Sequence, residues 1–204
     1  AQLAAELLDA RPGDRVLDAC AAPGGKTLHI AQRTPETEIT ALDIDGRRCR
    51  RIRENLERGG VTARVLEGDA RTPDAAVAEG GYDRILVDAP CSATGILRRQ
   101  PDVRILRRQG DVAKLAGVQI ELLEALWPLL RPGGRLVYCT CSVLPREGPM
   151  VVEAFLDRHR DADVRPIAAD RGIPRGPGRQ LLPTVDAHDG FFYSSLERNT
   201  DTGA

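Results

Sequence analysis

Short apolar runs alternate along this chain with longer segments whose apolar positions recur every three or four residues. Arg15 to Ala19, Glu38 to Asp43, Ala63 to Glu67, Tyr82 to Asp88 and Arg135 to Thr140 are the short runs. Their length and β-branched content predict buried strands. Between them lie helical patterns: Gln2 to Ala10 (Leu3, Leu7 and Leu8 on one face), a helix opening at Thr27 to Gln32, and Gly46 to Arg58 (Cys49, Ile52 and Leu56 inward). A short helix follows at Thr72 to Ala78. A long one, capped by Asp111, runs to about Leu130 with Leu115, Gln119, Leu122, Leu126 and Leu129 near one face, and another spans Glu147 to Arg160. Pro128 should thin the last turn of the long helix, and Pro132-Gly133-Gly134 should stop it. Val164 to Ile167 predicts a strand and Arg171 to Leu182 a surface loop. Gly190 to Leu196 predicts a last strand, with Phe191 and Tyr193 on one side and Phe192 on the other. Strands alternating with helices predict an α/β fold with an open, mostly parallel sheet and an antiparallel C-terminal edge.

Composition adds bounds. The 204 residues suffice for one domain, taken as residues 1–204. The chain opens as if inside a helix, so a piece of a longer protein is expected. No apolar run approaches the roughly 18 residues of a membrane span, and the start lacks the pattern of a signal peptide. Five cysteines, an odd number, predict thiols rather than disulfides and a cytoplasmic location. The net charge of −1 does not advertise nucleic acid, but it leaves room for a local patch. The segment Ile96 to Gly110 carries Arg98, Arg99, Arg104, Arg107 and Arg108 and is the candidate.

The candidate chemistry sits where the predicted strands end. Cys20-Ala21-Ala22-Pro23-Gly24-Gly25-Lys26-Thr27 forms a small-residue turn between strand and helix. Small residues admit a ligand close to the backbone, and the helix start offers N–H donors. It is neither G-x-G-x-x-G nor a P-loop. Four strands end in Asp18, Asp43, Asp69 and Asp88. Open α/β sheets bind ligands at these ends. Carboxylates repel phosphates and suit hydroxyls, amino groups and positive charge, which favours S-adenosyl-L-methionine. Asp43 is expected to bind the ligand and Asp45 to cap the next helix. Cys91 and Cys141 follow neighbouring strand ends, so both thiols can face one cleft. Cys139-x-Cys141 has the wrong spacing for a zinc knuckle, and no metal is expected.

Taken together and in order, Cys20 to Thr27, Asp88-Ala89-Pro90-Cys91-Ser92 and Thr140-Cys141-Ser142 resemble the Nop/Sun family of RNA cytosine-C5 methyltransferases. Asp43, Gly68-Asp69-Ala70 and the ending Asp189 to Tyr193 fall where that family has them, and the likeness runs from Ala1 to about Leu196. The resemblance implies a Rossmann-like, S-adenosylmethionine-dependent methyltransferase fold acting on carbon 5 of a cytosine, in 16S ribosomal RNA foremost and in tRNA as the alternative. It implies that Cys20, Ala21, Ala22, Pro23, Gly24, Gly25 and Lys26 wrap the methionine part of the cofactor. Asp43 would take the ribose hydroxyls, Asp69 the adenine amino group, and Asp88 would lie between cofactor and cytosine. Cys141 would be the nucleophile and Cys91 would help release product. The residues alone leave the two thiols equivalent. Arg98, Arg99 and Arg104 would guide RNA, and the protein would act as a monomer. The family also implies an N-terminal RNA-binding domain, which this chain is expected to lack. One departure is plain: where the family has Pro-Glu-Glu-Asn, this chain has Pro145-Arg146-Glu147-Gly148. The competing readings are a cofactor- and RNA-binding module without turnover, for which the two thiols have no use, and a nicotinamide-dependent oxidoreductase, for which the glycine signature is missing.

Overall fold

The computed structural model describes residues 2–106, 108–185 and 188–200. Helix α1 (Leu3–Leu8) precedes strand β1 (Arg15–Ala19). Then come α2 (Gly25–Arg33), β2 (Glu38–Asp43), α3 (Gly46–Arg58), β3 (Arg64–Glu67), α4 (Ala75–Ala78) and β4 (Tyr82–Asp88). After a single turn of 3-10 helix at Thr94–Ile96 follow α5 (Val103–Leu106), α6 (Gln109–Leu126), β5 (Leu130–Thr140), α7 (Pro149–Leu156), β6 (Ala162–Val164), β7 (Ile173–Arg175), β8 (Gly178–Leu181) and β9 (Phe191–Arg198).

All nine strands share one sheet, in the order β3-β2-β1-β4-β5-β9-β8-β7, with β6 also on β9. The five strands β1 to β5 pair parallel. β9 runs antiparallel to β5, β6 and β8. The strand order reverses between β1 and β4, which is where a sheet of this kind opens a ligand crevice.

Alternating side chains explain the layers. Leu17, Ile85, Val87, Leu136, Tyr138 and Phe192 pack on one face against Leu122, Leu123, Leu126, Trp127 and Phe155 of the α6–α7 side. Val16, Leu86, Val137, Cys139 and Tyr193 point to the other face, against Ala4, Leu8 and Ile30 of α1 and α2. The aromatic residues of the last strand divide between the two faces as the sequence predicts.

Several boundaries differ from the expectation. Helix α6 opens at Gln109, and Asp111 lies inside its first turn, where its carboxylate accepts the Arg108 backbone N–H at 2.9 Å. Pro132-Gly133-Gly134 does not precede β5 but bulges within it: the pairing with β4 jumps between Tyr82 and Arg84, and Gly133 takes φ +75°. The predicted strand at Val164 to Ile167 lies earlier, at Ala162–Val164. The predicted loop Arg171 to Leu182 is a hairpin of β7 and β8 joined to the sheet. Backbone proximity accounts for it: a Cβ on Gly178 would stand 2.3 Å from the Tyr193 carbonyl oxygen and 2.5 Å from the Phe192 ring. The helix expected from Glu147 starts at Pro149, after a 3-10 turn at Pro145–Glu147.

Candidate functional site

A cleft of about 710 Å³ opens at the C-terminal ends of β1, β2, β3, β4 and β5. Cys20, Ala22, Pro23, Asp43, Asp69, Asp88, Cys91 and Cys141 all line it. The volume lies in the range of small-molecule sites.

The turn after β1 is shaped by local constraints. Cys20 holds φ 60°, the Ala22–Pro23 peptide is cis, and Gly24 holds φ +97°. The turn is tied to its neighbours by Ala21 N–H to the Leu42 carbonyl (3.0 Å) and Ala22 N–H to Asp43 Oδ2 (3.1 Å). Asn55 adds a bond to the Pro23 carbonyl (2.6 Å). Ala21, Gly24, Gly25 and Lys26 therefore form the frame behind the cleft and do not line it. Burial and the carboxylates of Asp43 and Asp88 push the Cys20 thiol up to about 12, so it stays protonated.

Each acidic strand end has a distinct setting. Asp18 is fully buried: Oδ2 accepts the Thr27 hydroxyl at 2.5 Å and Oδ1 has no hydrogen-bond partner. Burial raises its carboxyl to about 7. Asp43 accepts the Ala22 and Asp45 backbone N–H groups, and Asp45 caps α3 through Arg47 and Arg48 N–H, as the sequence predicts. Asp69 is gripped by Arg71 (Nη2 to Oδ2 2.7 Å), whose Nη1 also reaches Glu121 at 3.2 Å. The Arg71 hydrogen bonds hold Asp69 below the usual carboxylate range. Asp88 accepts Lys26 Nζ at 2.5 Å on Oδ2 and faces the Cys139 thiol at 3.4 Å on Oδ1. Burial alone would lower the Lys26 ammonium; the Asp88 carboxylate outweighs it and raises it instead.

The two cysteines meet. Cys91 Sγ and Cys141 Sγ are 3.3 Å apart. The hydrogen-bonded contact between the two sulfurs holds the Cys141 thiol below its ordinary value, and the same contact together with burial raises Cys91. Gly95 N–H to the Cys141 carbonyl (2.9 Å) joins the two loops.

Arg98, Arg99 and Arg104 lie outside the cleft lining, although Ile96 and Gln100 belong to it. Arg98 and Arg99 pair with Asp189 at 3.6 and 2.7 Å. Arg104 is exposed on α5, and Arg107 lies outside the described residues. Two residues were not anticipated from the sequence. Arg71 was signalled only by its place two residues after Asp69. Glu147, buried between the cysteine loops, was visible only as the one glutamate left of the altered Pro145 to Gly148 stretch. Among the described residues no group of His, Cys, Asp and Glu is arranged to hold a metal ion, and no helix is long and apolar enough to cross a membrane.

A glycine-rich turn, acidic strand ends and paired thiols in one cleft agree with the family that the sequence resembles. The model of the 16S rRNA methyltransferase RsmB/F family matches residues 5–197. The chain belongs to that family. It is 52% identical to ribosomal RNA small subunit methyltransferase B of Vibrio cholerae over 198 residues, which cover 97% of this chain and 44% of that protein. The corresponding protein of Serratia proteamaculans is 50% identical, covering 96% and 45%. The chain thus spans less than half the length of these relatives. Among solved structures, NSun6 from Pyrococcus horikoshii, crystallised with SFG, superposes with a TM-score of 0.86 at 32% identity, over 98% of this chain and 51% of that one. The fold is the Rossmann-like methyltransferase fold, as the resemblance implied.

Proposed function

We propose that this chain is the catalytic domain of an S-adenosylmethionine-dependent methyltransferase that methylates carbon 5 of a cytosine in 16S ribosomal RNA through a covalent cysteine adduct. The observation that carries the reading is the pair of thiols 3.3 Å apart, just past the ends of β4 and β5, in a cleft rimmed by acidic strand ends.

The residues present fit the cofactor. Asp43, at the end of β2, suits ribose hydroxyls, and Asp69 suits the adenine amino group while sharing its carboxylate with Arg71. The Cys20 to Lys26 turn suits the methionine part, where the Asp88 carboxylate lines the cleft beside a cationic ligand. When bound, S-adenosylmethionine supplies an activated methyl group.

The chain's own residues then divide the work. Cys141, as thiolate, adds to ring carbon 6, and the carbon 5–carbon 6 electron pair shifts toward the carbonyl-like end of the ring. The Lys26 ammonium, which donates to Asp88, is the proton source, and Asp88 passes that proton to ring nitrogen 3 as the charge builds there. Carbon 5 becomes the nucleophile. After transfer the carbon 5 proton passes to water and its electron pair re-forms the carbon 5–carbon 6 double bond; Cys141 leaves as a thiolate that the Cys91 thiol, 3.3 Å away, stabilises by a hydrogen bond, and ring nitrogen 3 returns its proton through Asp88 to Lys26. The base must be unpaired or flipped to reach the cleft. Arg98 and Arg99, between the lining residues Ile96 and Gln100, and Arg104 on α5 are assigned to the RNA backbone. The reading assigns residues 1–204 to catalysis and leaves part of the RNA affinity to the portion of the relatives that this chain does not span.

The test has two stages. Calorimetry measures S-adenosylmethionine binding to the chain. Labelled methyl transfer to 16S ribosomal RNA is then compared for wild type, Cys141→Ala and Cys91→Ala. The expected pattern is loss of transfer in Cys141→Ala and accumulation of a covalent RNA adduct in Cys91→Ala. An adduct in Cys141→Ala but not in Cys91→Ala would reverse the two thiols' roles, and absence of cofactor binding would sink the reading.

A further inference from the structure

Glu147 is a fully buried carboxylate that the reaction above does not use. Its Oε1 accepts the Ser92 backbone N–H at 2.7 Å. Its Oε2 accepts the Ser142 hydroxyl at 2.6 Å and also the Ser92 hydroxyl. Ser92 directly follows Cys91, and Ser142 directly follows Cys141. The Glu147 carbonyl accepts Tyr138 OH (2.9 Å) and Thr140 Oγ1 (3.1 Å), which fixes it to β5. Thr94 extends the link: its hydroxyl lies 3.1 Å from Ser142 Oγ and accepts the Val143 N–H at 3.2 Å.

A carboxylate this deep is costly unless it is fully hydrogen-bonded. Three donors converge on it, and among the described residues none of its partners is a cation. Packing alone does not call for such an arrangement, since an apolar residue would fill the space at lower cost. What the carboxylate does uniquely is bond to both cysteine loops at once.

We propose that Glu147 is a positioning residue for the paired thiols: it ties the two cysteine loops together through Ser92 and Ser142 and so sets the spacing and contact of Cys91 and Cys141. The proposal deepens the methyltransferase reading and rests on it for its purpose, but not for its test. Other charged and titratable groups also face the pair. Lys26 from α2 and Asp88 from β4 stand on the Cys141 side, while Tyr138, Cys139 and Tyr193 come from β5 and β9. Cys91 is raised first by its contact with Cys141, then by burial, and the Glu147 charge pushes the same way. The two thiols differ chiefly through the contact between them, and the Glu147 bridge holds the two loops that make that contact.

Glu147→Gln keeps the shape, removes the charge and replaces one acceptor oxygen by a donor. Melting by circular dichroism checks the fold, and calorimetry checks that S-adenosylmethionine binding stays within about twofold, since the cofactor loops are untouched. The deciding readout needs neither RNA nor cofactor: iodoacetamide alkylation of Cys141 and Cys91, resolved by peptide mass spectrometry from pH 6 to 10. The Cys141-to-Cys91 rate ratio should fall about tenfold, the equivalent of one pKa unit. In methyl transfer to 16S ribosomal RNA, kcat should drop about 100-fold with KM for the cofactor unchanged. Should Glu147→Gln fail to fold, Ser142→Ala removes a single donor and should shift the same ratio in the same direction. A wild-type alkylation ratio in the folded variant overturns the proposal. A collapsed ratio beside a wild type that transfers no methyl leaves the positioning role standing and defeats the methyltransferase reading instead.

Discussion

Replacing Gly95 by alanine drives a methyl group into backbone that has nowhere to retreat. The new Cβ would stand 2.1 Å from the Gly190 carbonyl oxygen, 2.7 Å from its carbon and 2.9 Å from the Cys141 carbonyl oxygen. Ordinary contact begins near 3.4 Å, so the Gly190 carbonyl must move by more than an ångström. Two hydrogen bonds cross the same spot, Gly95 N–H to the Cys141 carbonyl (2.9 Å) and Gly190 N–H to the Gly95 carbonyl (2.8 Å). Overpacking costs about 1–3 kcal/mol and each weakened bond about 0.5–1.5 kcal/mol. The expected loss is therefore about 2–6 kcal/mol from a stability of about 5–15 kcal/mol. Gly117→Ala is the control: nothing lies within 4 Å of its Cβ position on the exposed side of α6, and alanine there should stabilise by about 0.5–1 kcal/mol. Urea unfolding followed by circular dichroism measures both, with the slopes compared to confirm like transitions. A second assay reads the site itself. A trivalent arsenical binds paired thiols, and in Gly95→Ala its affinity should fall because the Cys91 and Cys141 loops part. A Gly95→Ala protein with the wild-type urea midpoint and wild-type arsenical affinity would refute the steric argument.

Other expectations follow from single contacts. Asp18 has its carboxyl raised from 3.8 to about 7 by burial, so between those values the folded chain holds a proton that the unfolded chain has lost. Stability should therefore fall as pH rises through that window, by up to about 1.4 kcal/mol per unit, and Asp18→Asn should flatten this part of the profile in urea titrations at pH 5 to 8. Cys141, lowered by its Cys91 contact, should be alkylated first at neutral pH, with Cys20 and Cys139 labelled only near the alkaline end; peptide mapping of a pH series would contradict this if Cys20 led. Trp127→Ala removes a buried ring that lies edge-on to Phe155 at 5.3 Å and donates from Nε1 to Asp161 at 3.1 Å; it should cost about 3–5 kcal/mol in thermal or urea unfolding.

The parallel half of the sheet was legible because its signals are local. Runs such as Ile85-Leu86-Val87 are buried on both faces, and the turns between them carry glycine or proline. The acidic strand ends were legible for the same reason, since position along a strand fixes which residues reach the crevice. The hairpin of β7 and β8 was not, because it is held by the approach of Gly178 to Phe192 and not by any apolar alternation. Arg98 and Arg99 read as a basic patch in sequence, but the structure pairs them with Asp189, far along the chain. Glu147 read as a detail of a helix start because nothing near it announces that its three donors come from two separate loops.

The meeting of Gly95 with Gly190 also fixes an order of assembly. The chain leaves the ribosome N-terminus first, and the turn after β1, Asp43, Asp69 and Asp88 are all made within its first half. The loops that align the thiols lean on residues made much later: Gly190 bonds to Gly95, Asp189 holds Arg98 and Arg99, and Gln180 holds the Ser142 carbonyl at 3.2 Å. Roughly a hundred residues separate Asp88 from Gly190, which at about 5–20 residues per second is an interval on the order of 5–20 s. During that interval the residues of the ligand-facing half of the cleft have been made, and those that hold the thiol pair in line have not. The reactive centre is closed last, by the strand that finishes the sheet.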